Sequence, residues 1–473
     1  MMQRTSRSRR LAAALAAVVA VAGLAACQTN QVMWAPCAPA ADGNPFGADS
    51  TYVLICRNGR WEPIMTIDEH LRIRTGEWVI IGPLPQPPVE NPPSAEPPPP
   101  PAPPPKVVEV SSGTSHTCAR YDDGNAKCWG NNGNGRLGSA GGDTSTPRAV
   151  GLTGIAQISA GGSHTCAVRT DTTLWCWGSN SVGQLGSWAG YGTQSSHPDP
   201  RQVMVGASPL TDVAQVSAGD TTTCAVTRTN RVWCFGFNSF GQFGSNVAYG
   251  GSTATPTQIQ GLVDATQVSL YGTHACARRS NGAVSCWGDN GMGQVGDAAP
   301  GDHTSPFSVG GALVYSNGVA AGKSHSCSVT WNSRLQCWGW NFHGQLGNAA
   351  GNSNNVAAPN PTEIANLWDA QQVTGGGFHT CVRTTTSRVK CWGDNKYGQM
   401  GSVTADPDPN PTPALVPNLT GVVAVDAGEQ HTCAFDSSGR VWCWGQNFFG
   451  QLGKAANVGT LNTNIVPTQV AGL

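Results

Sequence analysis

Six copies of His-x-Cys raise metal chemistry first: His116, His164, His274, His325, His379 and His431 each stand two residues before a cysteine. Imidazole and thiolate are zinc ligands, but a zinc site needs about four of them converging on one point. Cysteine spacing points elsewhere. Cys118 and Cys128, Cys166 and Cys176, Cys224 and Cys234, Cys276 and Cys286, Cys327 and Cys337, Cys381 and Cys391, and Cys433 and Cys443 form seven pairs, each ten positions apart. Nine residues between two opposed strand positions leave three cross-strand pairs and a three-residue loop, so each pair reads as a disulfide inside one β-hairpin. Disulfide sulfurs are poor ligands, and the histidines are then expected to hydrogen-bond backbone turns, with no metal and no cofactor. Covalent catalysis finds no G-x-S-x-G elbow, and the scarce, scattered carboxylates offer no acid–base pair. No catalytic residue is assigned, although a set converging from separate loops stays open.

These residues must be carried by a repeated element. First cysteines follow one another at 48, 58, 52, 51, 54 and 52 residues, a period of about 52. A three-residue hairpin loop places its last residue in the left-handed region. That residue is Gly124, Thr172, Asn230, Gly282, Ser333, Ser387 or Gly439, and four of the seven are Gly or Asn. A closed loop of about 11 residues contributes at most ~3 kcal/mol through chain entropy. After each hairpin comes C-W-G-x-N-x-x-G-Q-L-G or a close variant. Its aromatic is Trp129, Trp177, Phe235, Trp287, Trp338, Trp392 or Trp444, on the face opposite the cysteine. A fourth strand signal, P-x-x-V, follows at Pro147, Pro200, Pro256, Pro306, Pro361, Pro411 or Pro413, and Pro467.

These motifs, quoted most fully by HTCAVRTDTTLWCWGSNSVGQLG from His164, resemble the repeats of the regulator of chromosome condensation family. The resemblance spans residues 106–473 and implies an all-β fold, a seven-bladed β-propeller with one four-stranded sheet per repeat. Departures are local: Thr222 and Phe235 in the third copy, Arg136 for Gln in the first, and Val295 and Met400 for Leu. Propeller symmetry would spread the histidines one per blade, away from any common ligand. Val107–Val110 has no P-x-x-V element before it and Pro467–Val470 no hairpin after it, so the two ends are expected to complete one blade together.

The remaining chain sets compartment and spacing. Arg4, Arg7, Arg9 and Arg10 precede an apolar run from Leu11 to Ala26, too short for a membrane span of about 20 residues. Leu24-Ala25-Ala26-Cys27 resembles the lipobox of bacterial lipoproteins, which implies a signal peptide over 1–26, cleavage before Cys27 and lipid on its sulfur. Gln28 lacks the aspartate of inner-membrane retention, so an extracytoplasmic, outer-membrane anchor is expected. Lipidation of Cys27 leaves 16 of the 17 cysteines to pair in an oxidising compartment. A tether over 27–36 leads to a small β module over 37–82, with strand-like runs at Tyr52–Cys56 and Trp78–Ile81, a turn at Asn58-Gly59, and Cys37 and Cys56 left to each other. Residues 83–105 hold 14 of the 33 prolines and read as a stiff polyproline-II spacer.

Composition narrows the partners. Lys+Arg 27 against Asp+Glu 28 excludes nucleic-acid binding by a basic field. Charged residues are 12% of the chain, about half the usual share, while Gly reaches 60 residues. The segments after each G-Q-L-G differ in length and content, and symmetry puts all of them on one face. Trp188, Tyr191, Tyr249 and His303 stand among them as candidate binding-loop residues, either recognition elements or solvated connectors. The resemblance brings nucleotide exchange on the small GTPase Ran, which export, disulfides and neutral charge argue against. It also brings secreted members that inhibit enzymes by covering them. The expected function is therefore a monomeric scaffold, not an enzyme, that binds a protein partner through these loops. An envelope glycan or a channel-sited hydrolase or lyase are the alternatives.

Overall fold

The computed structural model describes residues 103–473 apart from 194, 245–249, 300, 311–312, 314, 349–357 and 403–408, and the backbone of three strands nearer the N-terminus. The chain divides into two compact units, Met1–Ala102 and Pro103–Leu473. In the first, Phe46–Ala48, Tyr52–Arg57 and Arg60–Thr66 form one antiparallel sheet, with Arg57 opposite Arg60 across the anticipated turn. Cys27, the Cys37–Cys56 pairing, Trp78–Ile81 and the proline tract through residue 102 lie outside the described residues.

In the second unit, seven four-stranded antiparallel sheets follow one another, each built from consecutive strands, and no helix occurs among the described residues. Blade 1 comprises Val107–Ser112, His116–Tyr121, Ala126–Gly130 and Thr144–Ala149, from the axis outward. Blade 7 comprises Val422–Ala427, His431–Asp436, Val441–Gly445 and Thr468–Gln469. The outer strands carry Pro147, Pro200, Pro256, Pro306, Pro361, Pro413 and Pro467's neighbour Thr468, an edge position that tolerates a missing N–H.

Ring closure corrects one expectation. Val107–Ser112 is the inner strand of its own blade and Thr468–Gln469 the outer strand of blade 7, so no blade is shared between the chain ends. The seam closes by packing instead: Val470, Leu452 and Phe435 of blade 7 join Val107, Val110 and Trp129 of blade 1 in one buried cluster. Outward neighbours within a repeat are also neighbours in sequence, so sequence order and spatial order coincide throughout.

Each hairpin follows from its loop. Tyr121 N donates to Asn125 O, closing Asp122-Asp123-Gly124. Arg120 then faces Ala126, Ala119 faces Lys127 and Cys118 faces Cys128. Counting from that hydrogen-bonded pair, the cysteines fall in a non-hydrogen-bonded position, where opposed Cα atoms come closest. All seven pairs are disulfides, with Cα atoms 4.0–4.2 Å apart. The third loop residue is left-handed in every blade, including the non-glycines Thr172, Asn230, Ser333 and Ser387.

Blades adhere through a repeated polar joint within an apolar core. The carbonyl of Gln451 accepts from Trp129 Nε1 and from Thr117 Oγ1 of the next blade, both at 2.9 Å. Thr165 and Trp177 treat Arg136 O in the same way. A threonine hydroxyl that donates to the carbonyl must accept elsewhere, and it accepts from histidine Nε2. The contacts are His116–Thr165, His164–Thr223, His274–Ser326, His325–Thr380, His379–Thr432 and His431–Thr117, at 2.8–2.9 Å. The histidine partner is thus a hydroxyl on the following blade, not a backbone turn. The missing joint lies between blades 3 and 4, where Thr222 replaces His and Ala275 replaces Thr. There Leu270 stands where other blades have Ala160, Ala218, Ala321 or Ala427, and it packs with Cys224 and Ala275. One polar joint has become apolar as a unit.

Candidate functional site

The strand order places two sets of segments on one face of the ring: the turns between inner and second strands, and the long segments between third and outer strands. Where each segment of the second set begins, the motif fixes the turn, as blade 2 shows. Asn180 Oδ1 accepts from Leu185 N while its Nδ2 donates to Ser187 O and Ala189 O. Gln184 Oε1 accepts from Val182 N. Gly183 and Gly186 take the left-handed conformation that these turns need. Side chains at the x positions of C-W-G-x-N-x-x-G therefore project from a fixed frame.

Around the axis a cavity of about 290 Å³ is lined by the inner strands. Gln157, Gln215, Gln267 and Gln372 each bridge to the next inner strand, donating to a backbone carbonyl and accepting from the same residue's N–H. Ser111, Ser159, Ser217, Ser269 and Thr374 accept a further N–H each. Asp426 replaces Ser in blade 7, accepting from Ser112 N at 2.6 Å and from Thr374 Oγ1 at 3.1 Å. Complete burial raises its pKa to about 7. Glu109 replaces Gln in blade 1, bonding Arg120 and Ile158 N, and burial raises its pKa as well. These carboxylates serve the ring; they are tied to neighbouring strands.

On the loop face the axis is capped by side chains from the inner turns. Tyr271 of blade 4 reaches across to Glu429 of blade 7, its hydroxyl donating to Oε2 at 3.2 Å. Lys323 Nζ donates to Glu429 Oε1 at 2.5 Å. Burial and then the Glu429 charge raise Asp220 to about 6, while Lys323 and a hydrogen bond with Thr114 oppose the rise. Burial, followed by both carboxylates, puts the Tyr271 phenol well above its usual range. Burial disfavours the Lys323 ammonium, but its bond to Glu429 prevails and its pKa rises.

Beside this cap lies an aromatic cluster from blades 5 and 6. Trp340 stacks on Phe342 (5.8 Å, 15°) and meets Phe378 edge-on at 5.2 Å, with His343 completing the group. Lys323 Nζ lies 5.3 Å over Phe378, which links cluster and cap. Phe342 is 38% exposed and presents the cluster to solvent. The signal was available in the repeat, because Trp340, Phe342 and Phe378 occupy positions that hold Asn131, Gly133 and Ser115 in blade 1. Sequence reasoning looked instead to the segments after G-Q-L-G.

Of the anticipated loop residues that are described, only Trp188 and Tyr191 meet. Trp188 and Tyr191 form one edge-on pair at 5.0 Å. Trp188 Nε1 donates to Thr255 and the Tyr191 hydroxyl to Ser252 O, both on the outer strand of blade 3. Trp188 is 65% exposed. His303 begins an outer strand, not a loop, and its ring meets Asp297 and Phe307 of its own blade. Tyr249 lies outside the described residues. Among the described residues no three His, Cys, Asp or Glu side chains converge as a metal site.

Fold and site together define a seven-bladed propeller whose axis is capped on the loop face by Tyr271, Lys323 and Glu429. Its family is the RCC1-like domain, which matches residues 77–367 and 153–473, and the chain belongs to it. The ultraviolet-B receptor UVR8 of Arabidopsis thaliana is 30% identical over 254 residues, 52% of this chain and 56% of the receptor. The E3 ubiquitin-protein ligase HERC2 of Homo sapiens is 30% identical over 295 residues, 60% of this chain but 6% of the ligase. The chain thus spans little more than half of one curated relative and a small part of the other. Among solved structures, Prp20p from Saccharomyces cerevisiae aligns with a TM-score of 0.64 at 19% identity, covering 78% of this chain and 88% of its own. Human WBSCR16 aligns at 0.61 with 21% identity, covering 69% and 85%. At such identities the structures speak for the fold alone.

Proposed function

We propose that this protein is an exported, disulfide-stapled scaffold that binds a protein partner on its loop face, centred on the Trp340–Phe342–His343–Phe378 cluster. The carrying observation is that cluster, seated on a rigid frame next to the Lys323–Glu429 pair. Aromatic anchors beside a charged pair are what protein interfaces concentrate their binding energy in. Glycan recognition needs open ring faces, and Phe342 covers a face of Trp340. The axial carboxylates are taken up by the ring: Glu429 bonds Lys323 and Tyr271, Asp426 bonds Ser112 and Thr374, and Glu109 bonds Arg120 and Ile158 N. The lipobox-like Leu24–Cys27, the seven disulfides and the proline tract support a lipid-anchored, extracytoplasmic setting, with the spacer holding the propeller off the membrane. Photocrosslinking from position 342 on intact cells tests the reading. Capture of one protein whose purified complex weakens at least ~tenfold with Phe342→Ala supports it; crosslinks to glycan or lipid alone overturn it.

A further inference from the structure

Repeat symmetry gives every position six counterparts, and blade 5 departs from them on the face opposite the loops. The loop between its second and third strands opens with Trp331, a place held by Asp122, Thr170 or Ser280 in other blades. Trp331 N donates to Tyr315 O, the contact that Gly154 and Asp212 make in blades 2 and 3. Tyr315 sits there at φ +76°, a conformation that a bulky residue adopts only at a cost. The connector leaving blade 5 carries Trp368 where others have Thr153, Thr211 or Thr420. At all three places the other blades carry polar or smaller residues, Val263 and Val314 at the Trp368 place among them, and blade 5 supplies large rings that are 60–65% exposed.

Two of these rings touch, and the third is linked to the same hairpin through an arginine. Trp331 and Tyr315 meet edge-on at 6.4 Å and 84°, and the Arg334 guanidinium of the same hairpin lies 4.8 Å over Trp368. The local charges are already paired, Arg334 with Glu363 at 2.7 Å and Lys390 with Asp369 at 3.1 Å. Charge complementarity therefore calls for a neutral occupant that binds by ring contact. A polyproline-II segment has that chemistry. Its prolyl rings are compact and apolar, its carbonyls have no internal donors and match indole N–H and phenol O–H groups, and its extended form loses little entropy on binding. We infer that this face of blade 5 binds an uncharged, proline-rich segment of a partner polypeptide, seated on Tyr315, Trp331 and Trp368. This second surface is independent of the loop-face reading.

Fluorescent decaproline titrated into the full chain, read by anisotropy, provides the test. The variants Tyr315→Gly, Trp331→Ser and Trp368→Thr install counterpart residues, so each is expected to fold with an unchanged or higher Tm. Saturable binding is expected, insensitive to salt, weakened at least ~tenfold by Trp331→Ser and by Trp368→Thr, and unaffected by Phe342→Ala on the other face. No saturation at millimolar peptide, or equal binding by the variants, overturns the inference. A marked fall in Tm for all three variants also overturns it, since the rings would then be structural. Chitotetraose binding with the same variant pattern, in place of decaproline, would move the site to a different ligand class.

Discussion

At the scale of single residues, the histidines are the part of this chain whose chemistry looked most like function and is instead adhesion. Each donates Nε2–H to a hydroxyl whose own proton goes to a carbonyl, which leaves Nδ1 bare, buried and without a partner. Burial pushes His164, His274, His325, His379 and His431 down to about 3, and His116 well below its usual value. The unfolded chain therefore takes up protons as pH falls below about 6.5 while the folded ring does not, so stability is full above that pH and declines towards pH 3. Each histidine steepens the decline by up to ~1.4 kcal/mol per pH unit. Asp426 acts oppositely: raised to about 7, it favours the folded state at lower pH and weakens the seam as pH rises from about 4 to 7. Thermal melts from pH 3 to 9 should show a steep acid limb, and Asp426→Ser, the counterpart residue, should flatten the decline near neutrality. A melt independent of pH between 4 and 6 would contradict the histidine assignment. His379→Ala should cost ~1–3 kcal/mol by removing the donor that Thr432 Oγ1 accepts from, while its bond to Gln399 O stays, and by leaving a buried void. Thr222→His alone should destabilise against Leu270, and only the combination with Leu270→Ala and Ala275→Thr should recover stability, as a mutant cycle would show.

At the scale of elements, hairpin and loop were legible because one number governs them. Ten-residue cysteine spacing set the loop length, the loop length set the hydrogen-bonding parity, and parity set both the disulfide and the left-handed residue. Ser387 occupies that left-handed position at φ +57°, so Ser387→Gly should raise stability by ~0.5–1 kcal/mol in denaturant titration. The disulfide cysteines are buried, and the folded protein should show no ring thiol to alkylating reagents before unfolding with reductant. The joints between elements were less legible. His-x-Cys displays the histidine, but its hydroxyl partner lies one period downstream, a distance no local pattern reveals. The aromatic cluster was hidden for a related reason: Trp340 and Phe378 lie in different repeats and meet where one blade's loop crosses the next blade's turn.

At the scale of the molecule, the seven repeats and their fold were readable from periodicity, while closure of the ring was not. Leftover strands at both ends suggest a shared blade only if the first strand of a repeat is taken as its outermost. Here every blade is contiguous, and the seam depends on Val470 and Leu452 packing against Val107 and Trp129. Leu452→Ala should cost ~2–5 kcal/mol, and loss of Thr468–Leu473 should lower Tm by opening the same seam. A circular permutant that links Leu473 to Lys106 and opens within residues 150–154 cuts between intact blades, and it should fold with near-parental stability. Function was the least legible scale, because the residues that distinguish this ring from others are substitutions within a motif, not motifs themselves. The most direct test of the scaffold reading is the affinity of the captured partner for the full chain carrying Phe342→Ala or Trp340→Ala. A loss of at least ~tenfold with unchanged Tm is the result expected of a loop-face binding site. Undiminished affinity in both variants would contradict it.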